Sequence, residues 1–332
     1  MQFAKFVVTR VIAYILVIWI GISGVFFVPR FMPSDPVESM LGRIVSSGAY
    51  MEADQVEAMR ATLTQAFGLE GTLGDQYFGF LHRTFVTRDF GPSLSMFPTP
   101  VNELIGRALP WTLGLLLTST IIAWIVGNAI GLLAGYKSRW ISSRSLEIIA
   151  IIVYPIPYYI TALILIILFI HINPIFPLFF SVRGDPFSWQ FISSAIYNSV
   201  LPALSIVIVG FGWWVLSMKA LASSISEEDF VYFAKLKGAG EGRIMTAYVL
   251  RNAILPQVTV LALQLGAIFN GALITEILFS YPGLGTMTYN AVLQADYNLL
   301  MGTITISIIA VATSTLIIDL LYPFFDPRIR QK

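Results

Sequence analysis

The chain has 332 residues, 56% of them hydrophobic and 12% charged, with a formal net charge of +1 and no cysteine. Soluble domains carry about 25% charged residues, so this composition, with a mean hydropathy of +0.77, describes an integral membrane protein. The near-zero charge offers no electrostatic footprint for nucleic acid, and the lack of cysteine excludes disulfides, thiol nucleophiles and thiolate metal sites.

His82 and His171 are far apart and have no partners at metal-ligand spacing. No G-x-x-x-x-G-K-[ST] phosphate loop, H-E-x-x-H pair or Ser/His/Asp constellation is present. Neither a metal nor a cofactor is therefore expected on this chain.

Met1–Arg10 is mildly basic and runs into an apolar stretch, as a signal peptide does. No small-x-small cleavage site precedes Pro29, and further spans follow, which predicts a retained first helix over Phe6–Val28. Residues 29–109 are mixed in charge and read as an extracytoplasmic region. Within it, Val56, Met59, Leu63 and Phe67 share one face of a helix over Glu52–Phe67. Tyr77–Phe85 is also apolar at helical spacing. A cap of short helices follows, either a lid over the bundle or a docking face for an external partner.

Five further segments satisfy the length of a span, roughly 20 apolar residues. They are Pro110–Tyr136, Leu146–Ile170, Ser199–Leu221, Ile254–Ser280 and Leu300–Phe324. Pro155 and Pro157 in the third span and Pro202 in the fourth predict bends. Between spans five and six, Pro282-Gly283 suits the middle of a type II turn, and Met287–Asp296 reads as a short surface helix. The domain scheme is a first helix (1–28), an external region (29–109) and a five-helix core (110–332).

Short-loop basic residues set the orientation. Lys5, Arg10, Lys137, Arg139, Arg144, Lys219, Lys235, Lys237, Arg243, Arg251, Arg328, Arg330 and Lys332 all fall on one side of a six-span chain. Both termini and the loop 222–253 are accordingly cytoplasmic.

That loop contains a polar module, Ser226–Asn252. Glu227-Glu228-Asp229 favour a helix start, which predicts a helix over Asp229–Gly238. Gly238 and Gly240 permit a sharp turn, and a second helix over Glu241–Ala253 leads to Pro256 and span five. Two short helices with a glycine elbow suit a partner that pushes on the bundle. Physics alone leaves a partnerless surface hairpin nearly as open.

Polar groups inside spans are costly and usually face the bundle or a water path. Asn128, Gln264 and Asn270 are translocation-pathway candidates. Gln264, Asn270 and Glu276 are spaced by six, off the helical period, so they need not line one stripe. Glu276 is weighted towards a structural role at the outer end of span five, and Asp319 towards pairing with a basic group. Glu147 reads as an interfacial helix-start residue. Trp213 and Trp214 could face lipid, a sister subunit or a pore.

Glu228-Asp229-Phe230-Val231 through Ala234-Lys235-Leu236-Lys237-Gly238, with Leu250-Arg251-Asn252-Ala253-Ile254-Leu255-Pro256, resemble the cytoplasmic coupling loop of ABC importer permeases. The likeness is to the branch for dipeptides, oligopeptides and nickel, some members of which carry oligosaccharides. Against the general pattern E-A-A, three residues, Gly, nine residues, Ile-x-Leu-Pro, this chain has Tyr232-Phe233-Ala234, then Gly238, then Tyr248-Val249-Leu250. Arg251 replaces the proline, a departure shared with the peptide branch.

Pro33-Ser34-Asp35-Pro36, Phe67-Gly68-Leu69, Asp89-Phe90-Gly91-Pro92-Ser93, Arg107–Leu113, Glu276–Gly285 and Asp319–Arg330 resemble further blocks of that branch, in order along the chain.

The resemblance implies an all-α membrane protein with six transmembrane helices and an enlarged external region after the first. It implies a sister permease subunit, two cytoplasmic ATPase subunits, an extracytoplasmic solute-binding protein, and location in the plasma membrane bilayer. ATP-Mg would sit on the partner ATPases, and Tyr232, Phe233, Ala234, Lys235, Leu236, Lys237 and Gly238 would be the part they grip. Substrates allowed are peptides, nickel chelates, opines or oligosaccharides. A non-transporting receptor or scaffold is the rival of another class, with a channel or secondary transporter behind it.

Overall fold

The computed structural model describes residues 2–31, 35–46, 52–137, 140–177, 179–268 and 272–325. Pro33, Ser34, Arg139, Asn270 and the Asp326–Lys332 tail lie outside them. The described chain is helical, with a lone bridge between Pro92 and Pro100 as its only β pairing.

In order the helices are α1 (Gln2–Arg30), α2 (Pro36–Ser46), α3 (Ala53–Ala66), α4 (Leu73–His82), α5 (Val101–Tyr136), α6 (Ile141–Val153) and α7 (Tyr158–Ile166). Then come α8 (Trp189–Ser226), α9 (Asp229–Leu236), α10 (Glu241–Arg243), α11 (Arg251–Ala267), α12 (Leu273–Leu278), α13 (Leu284–Leu293) and α14 (Tyr297–Phe325). Wider π-helical turns extend α4 and α7 and join α10 to α11.

Among the described residues, Lys5–Arg30, Val101–Tyr136, Trp189–Ser226, Glu241–Gly266 and Tyr297–Leu320 are each long and apolar enough to cross a membrane. The third predicted span is a helix pair, Ser143–Val153 and Tyr158–Ile172, bent by 100°. The chain is an all-α, multi-pass membrane protein.

The bend falls at Tyr154-Pro155-Ile156-Pro157, where two prolines remove backbone donors and obstruct a continuing helix. Pro202, by contrast, sits inside an unbroken α8. The second span begins at Val101, nine residues ahead of the predicted start, so Pro110 is internal. An i,i+4 pair, Glu103 with Arg107, occupies its first turns. The fifth segment is not one helix. α11 ends at Ala267 and α12 starts at Leu273, so no single register runs from Gln264 to Glu276.

The type II turn is also absent. Gly283 has φ −95° and ψ 177° and precedes α13 as its cap, whereas a type II turn needs a positive φ there. The chain reverses at Ser280 instead, with φ 50°.

By internal packing the chain forms two compact units. The first comprises Met1–Thr112, Phe269–Leu273 and Pro282–Leu316. Its core joins Ile18, Ile22 and Phe26 of α1 to Val101, Leu104 and Ile105 of α5 and Leu299–Met301 of α14. A satellite cluster packs Val37 and Leu41 of α2 on Leu63 and Phe67, with Val56 and Met59 alongside, which is the amphipathic face expected of α3.

One buried carboxylate organises the start of α14. Asp296 is fully buried, and its Oδ2 accepts from the hydroxyls of Ser93 (2.5 Å) and Ser95 (2.8 Å) and from the Ser95 N–H (2.9 Å). Its Oδ1 takes the N–H of Leu299 (3.1 Å), one of the unsatisfied donors of the helix start. Asn298 donates to the Pro92 carbonyl at 2.9 Å. The Asp89–Ser93 block is thereby tied to the first turn of a spanning helix.

The second unit comprises Leu113–Ile268, Ile274–Tyr281 and Ile317–Lys332. Here α5 and α8 meet backbone to backbone at Gly127, Gly131 and Gly135. A Cβ at Gly131 would stand 2.6 Å from the Val215 carbonyl oxygen, and one at Gly135 2.6 Å from that of Lys219. Trp214, 1% exposed, packs against Gly127, so this indole serves the helix contact. Glu147 lies well inside α6, where it pairs with Lys219 of α8, rather than starting a helix.

Gly131→Ala is expected to lower the thermal unfolding temperature in detergent by forcing α5 and α8 apart, an overpacking cost of about 1–3 kcal/mol. Gly114→Ala, where an added Cβ meets nothing within 4 Å, is the near-neutral control in the same assay. Asp296→Ala removes the acceptor of two serine hydroxyls and two backbone N–H groups, and leaving buried polar groups unpaired costs about 1–3 kcal/mol each. Limited proteolysis should then cut near Ser93–Pro100 faster than in the parent.

Candidate functional site

The module between α8 and α11 is built around α9. Eight residues make too short a helix to persist alone in water, and no side-chain bond caps it at Glu228. Its stability comes from one buried edge. Val231 is 0% and Ala234 5% exposed, packed among Leu132 of α5, Met218 and Ala222 of α8, and Ile244, Val249 and Ala253 beyond the turn. Positions i and i+3 share a helix face, so these two residues suffice to fix how α9 sits.

The opposite face is apolar and open. Tyr232 and Phe233 are each 60% and Leu236 65% exposed, with Phe230 at 41%. Lys235 and Lys237 are also exposed. Aromatic and aliphatic side chains left uncovered together on one short helix form an apolar patch of the kind that interaction surfaces carry.

The end of α9 is locked by its backbone. Gly238 has φ 74°, a left-handed conformation suited to glycine. Its N–H donates to the Lys235 carbonyl (3.0 Å) and that of Ala239 to the Ala234 carbonyl (3.1 Å). Ala239 in turn packs on the cluster containing Ala234. These are the two bonds and the apolar contact of a Schellman cap. Gly240 has φ −66° and caps α10, so only Gly238 of the two needs its freedom. Lys137 at the end of α5 reaches Glu241 at 3.9 Å and lies over the Trp140 ring at 4.1 Å. From α10 onward the helical run continues through Pro256, so the module feeds into a span without a hinge.

The pathway candidates are not gathered by the structure. Asn128 is 4% exposed on α5; its amide donates to the Trp124 carbonyl at 2.8 Å, and its Oδ1 has no partner among the described residues. Gln264 is exposed on α11, and Asn270 lies outside the described residues. Glu276 is fully buried in α12, where its carbonyl accepts from the Tyr281 N–H at 2.7 Å, and Asp319 is half-buried on α14. Sequence reasoning missed Gln257, which is 1% exposed and donates to the Ser217 hydroxyl at 2.8 Å, joining α11 to α8. Its place one residue after Pro256, in a span, was the available signal.

Residues 127–331 match the family described as binding-protein-dependent transport system inner membrane component. The chain is 29% identical over 330 residues to the oligopeptide transport system permease protein AppB of Bacillus subtilis (strain 168), covering 98% of this chain and 99% of that one. It is 28% identical over 277 residues to the dipeptide transport system permease protein DppB of the same strain, covering 82% and 85%. It is 28% identical over 329 residues to the glutathione transport system permease protein GsiC of Escherichia coli (strain K12), covering 99% of each.

Gly238→Val is expected to fray the end of α9. An added side chain has open space there, so the cost is the left-handed backbone alone, about 1–2 kcal/mol. Amide exchange of the Gly238 and Ala239 N–H groups should accelerate about tenfold, with the spans unaffected.

Proposed function

Because the chain belongs to the family of binding-protein-dependent transport system inner membrane components, we propose that it is the permease subunit of an ATP-driven importer of di- or oligopeptides. Its role is transport rather than catalysis. Three relatives aligned over most of this chain are named for oligopeptide, dipeptide and glutathione transport. Their names favour peptides over the oligosaccharides and nickel chelates that the resemblance also allows.

The observation that carries the coupling role is the two-sidedness of α9. Tyr232, Phe233 and Leu236 project as an apolar knob, while Val231 and Ala234 root the same helix in α5 and α8. In this reading two cytoplasmic ATPase subunits, which hold the ATP-Mg, each grip a permease. This chain offers Tyr232–Gly238, and a sister permease offers the equivalent. Closure of the ATPases drags α9, and the drag passes through Met218 and Ala222 to α8. Lys235 and Lys237 flank the knob as cationic contacts, and Gly238 sets where it ends.

The bent pair α6–α7 counts as one span, giving six, with both termini in the cytoplasm. Residues 29–109 then form the external region that meets a solute-binding protein, and 110–332 the core. Asn128, with an amide oxygen lacking a partner among the described residues, and Gln264 are proposed for the pathway, as is Asn270. Glu276 and Asp319 are assigned structural roles.

The test is a triple substitution of Tyr232, Phe233 and Leu236 by serine. Exposed interface aromatics contribute about 2 kcal/mol or more each when they anchor a partner. ATPase co-purification and peptide uptake should both collapse, while thermal stability stays near that of the parent because all three side chains face water. Retained ATPase binding would refute the assignment. Intact coupling without peptide uptake by any member of a peptide panel would refute the substrate class alone.

A further inference from the structure

The first unit contains an open groove of about 540 Å³ bounded by α1, the start of α5 and α14. Its far wall is aliphatic and aromatic, with Tyr14 and Ile18 on α1 and Ile306 and Ile309 on α14. Its mouth is polar, formed by Thr84, Arg88 and Asn102.

The mouth has a donor or acceptor left over. Thr84 is 6% exposed, and its hydroxyl has no hydrogen-bond partner among the described residues. A buried polar atom left so in a folded protein points to something that completes it. Beside it, Arg88 is held with φ 53°, and its carbonyl accepts from the Asn102 amide. The Arg88 side chain is exposed. Burial lowers the pKa of the Arg83 guanidinium, and the neighbouring Asp89, which accepts from the Gly91 N–H at 2.9 Å, only partly offsets that. The mouth therefore presents a cation and an unsatisfied hydroxyl above an apolar slot.

Size and charge select the occupant. Along α5 the lining runs seven residues, from Asn102 to Leu109, about 10 Å at 1.5 Å per residue. One leaflet of a bilayer is about 15 Å of hydrocarbon. A single extended hydrocarbon chain fits beside Ile18, Ile306 and Ile309, and the cation and hydroxyl at the mouth complement a phosphate and an ester oxygen above it. Gly106 on the α5 wall keeps the slot open, since a Cβ there meets nothing within 4 Å.

We infer that this groove holds one phospholipid from the leaflet at the Arg30 end of α1. An acyl chain lies along Ile18, Ile306 and Ile309, the phosphodiester meets Arg88, and an ester oxygen accepts the Thr84 hydroxyl. The inference is independent of the coupling and substrate readings and uses none of their residues.

Native mass spectrometry of the protein, purified in mild detergent from its own membrane with whatever subunits accompany it, reads the result. The parent should retain one phospholipid mass. Gly106→Leu, which fills the slot, should lose it, and Arg88→Gln should retain it about tenfold less, the loss of one charge-assisted contact. A photoreactive benzoylphenylalanine in place of Phe85, which also lines the groove, should give a phospholipid adduct in intact membranes. Equal lipid retention by the parent and Gly106→Leu overturns the inference. So does a Phe85-site adduct to a protein chain, or the absence of a lipid adduct.

Discussion

The arrangement depends on the near contact of two backbones. Nothing apolar drives helices together inside lipid, whose tails are as hydrophobic as leucine; close van der Waals packing must do it. Gly127, Gly131 and Gly135 of α5 let the ridge Trp214, Val215, Met218, Lys219 and Ala222 of α8 come within touching distance. Two of those ridge residues, Met218 and Ala222, are also the floor on which Val231 and Ala234 rest. The membrane contact and the seat of α9 are thus one continuous piece of packing, and each helix is placed by the one before it.

This explains how so short a helix keeps an uncovered apolar face. α9 has little intrinsic stability, and Tyr232, Phe233 and Leu236 gain nothing from folding while they stay exposed. Two buried side chains, a Schellman cap and the Asp229 charge at the positive end of the helix hold it in place.

Much of this could be read from residues alone where the signal was local. The apolar period of α3, the acidic start and glycine stop of α9, and the proline pair that breaks α6 from α7 all act within a few residues, and they appear where the pattern put them. The misreadings share the opposite character. Asp296 reads in the sequence only as the end of a surface helix, because the fold alone brings Ser93 and Ser95 to its carboxylate. Pro282-Gly283 carries turn chemistry, yet the left-handed residue is Ser280, because the α12 cap closes there. α11 ends at Ala267 and α12 starts at Leu273, and the sequence between them holds Asn270-Gly271, a breaker dipeptide that hydropathy counting passed over. The glycine ridge was visible as a four-residue repeat, a signal for close helix contact that hydropathy counting does not register. The pathway candidates were chosen for polarity alone, and polarity does not say which of them meet.

α8 is a single rod of 38 residues, about 57 Å long at 1.5 Å per residue, nearly twice the roughly 30 Å hydrocarbon thickness of a bilayer. A rod that overhangs its bearing is a mechanical amplifier. Pivoting by about 10° around its midpoint sweeps each tip through about 5 Å, one helical turn. Modest rotation about its midpoint is therefore enough to move either end of the rod by about the width of one side-chain layer.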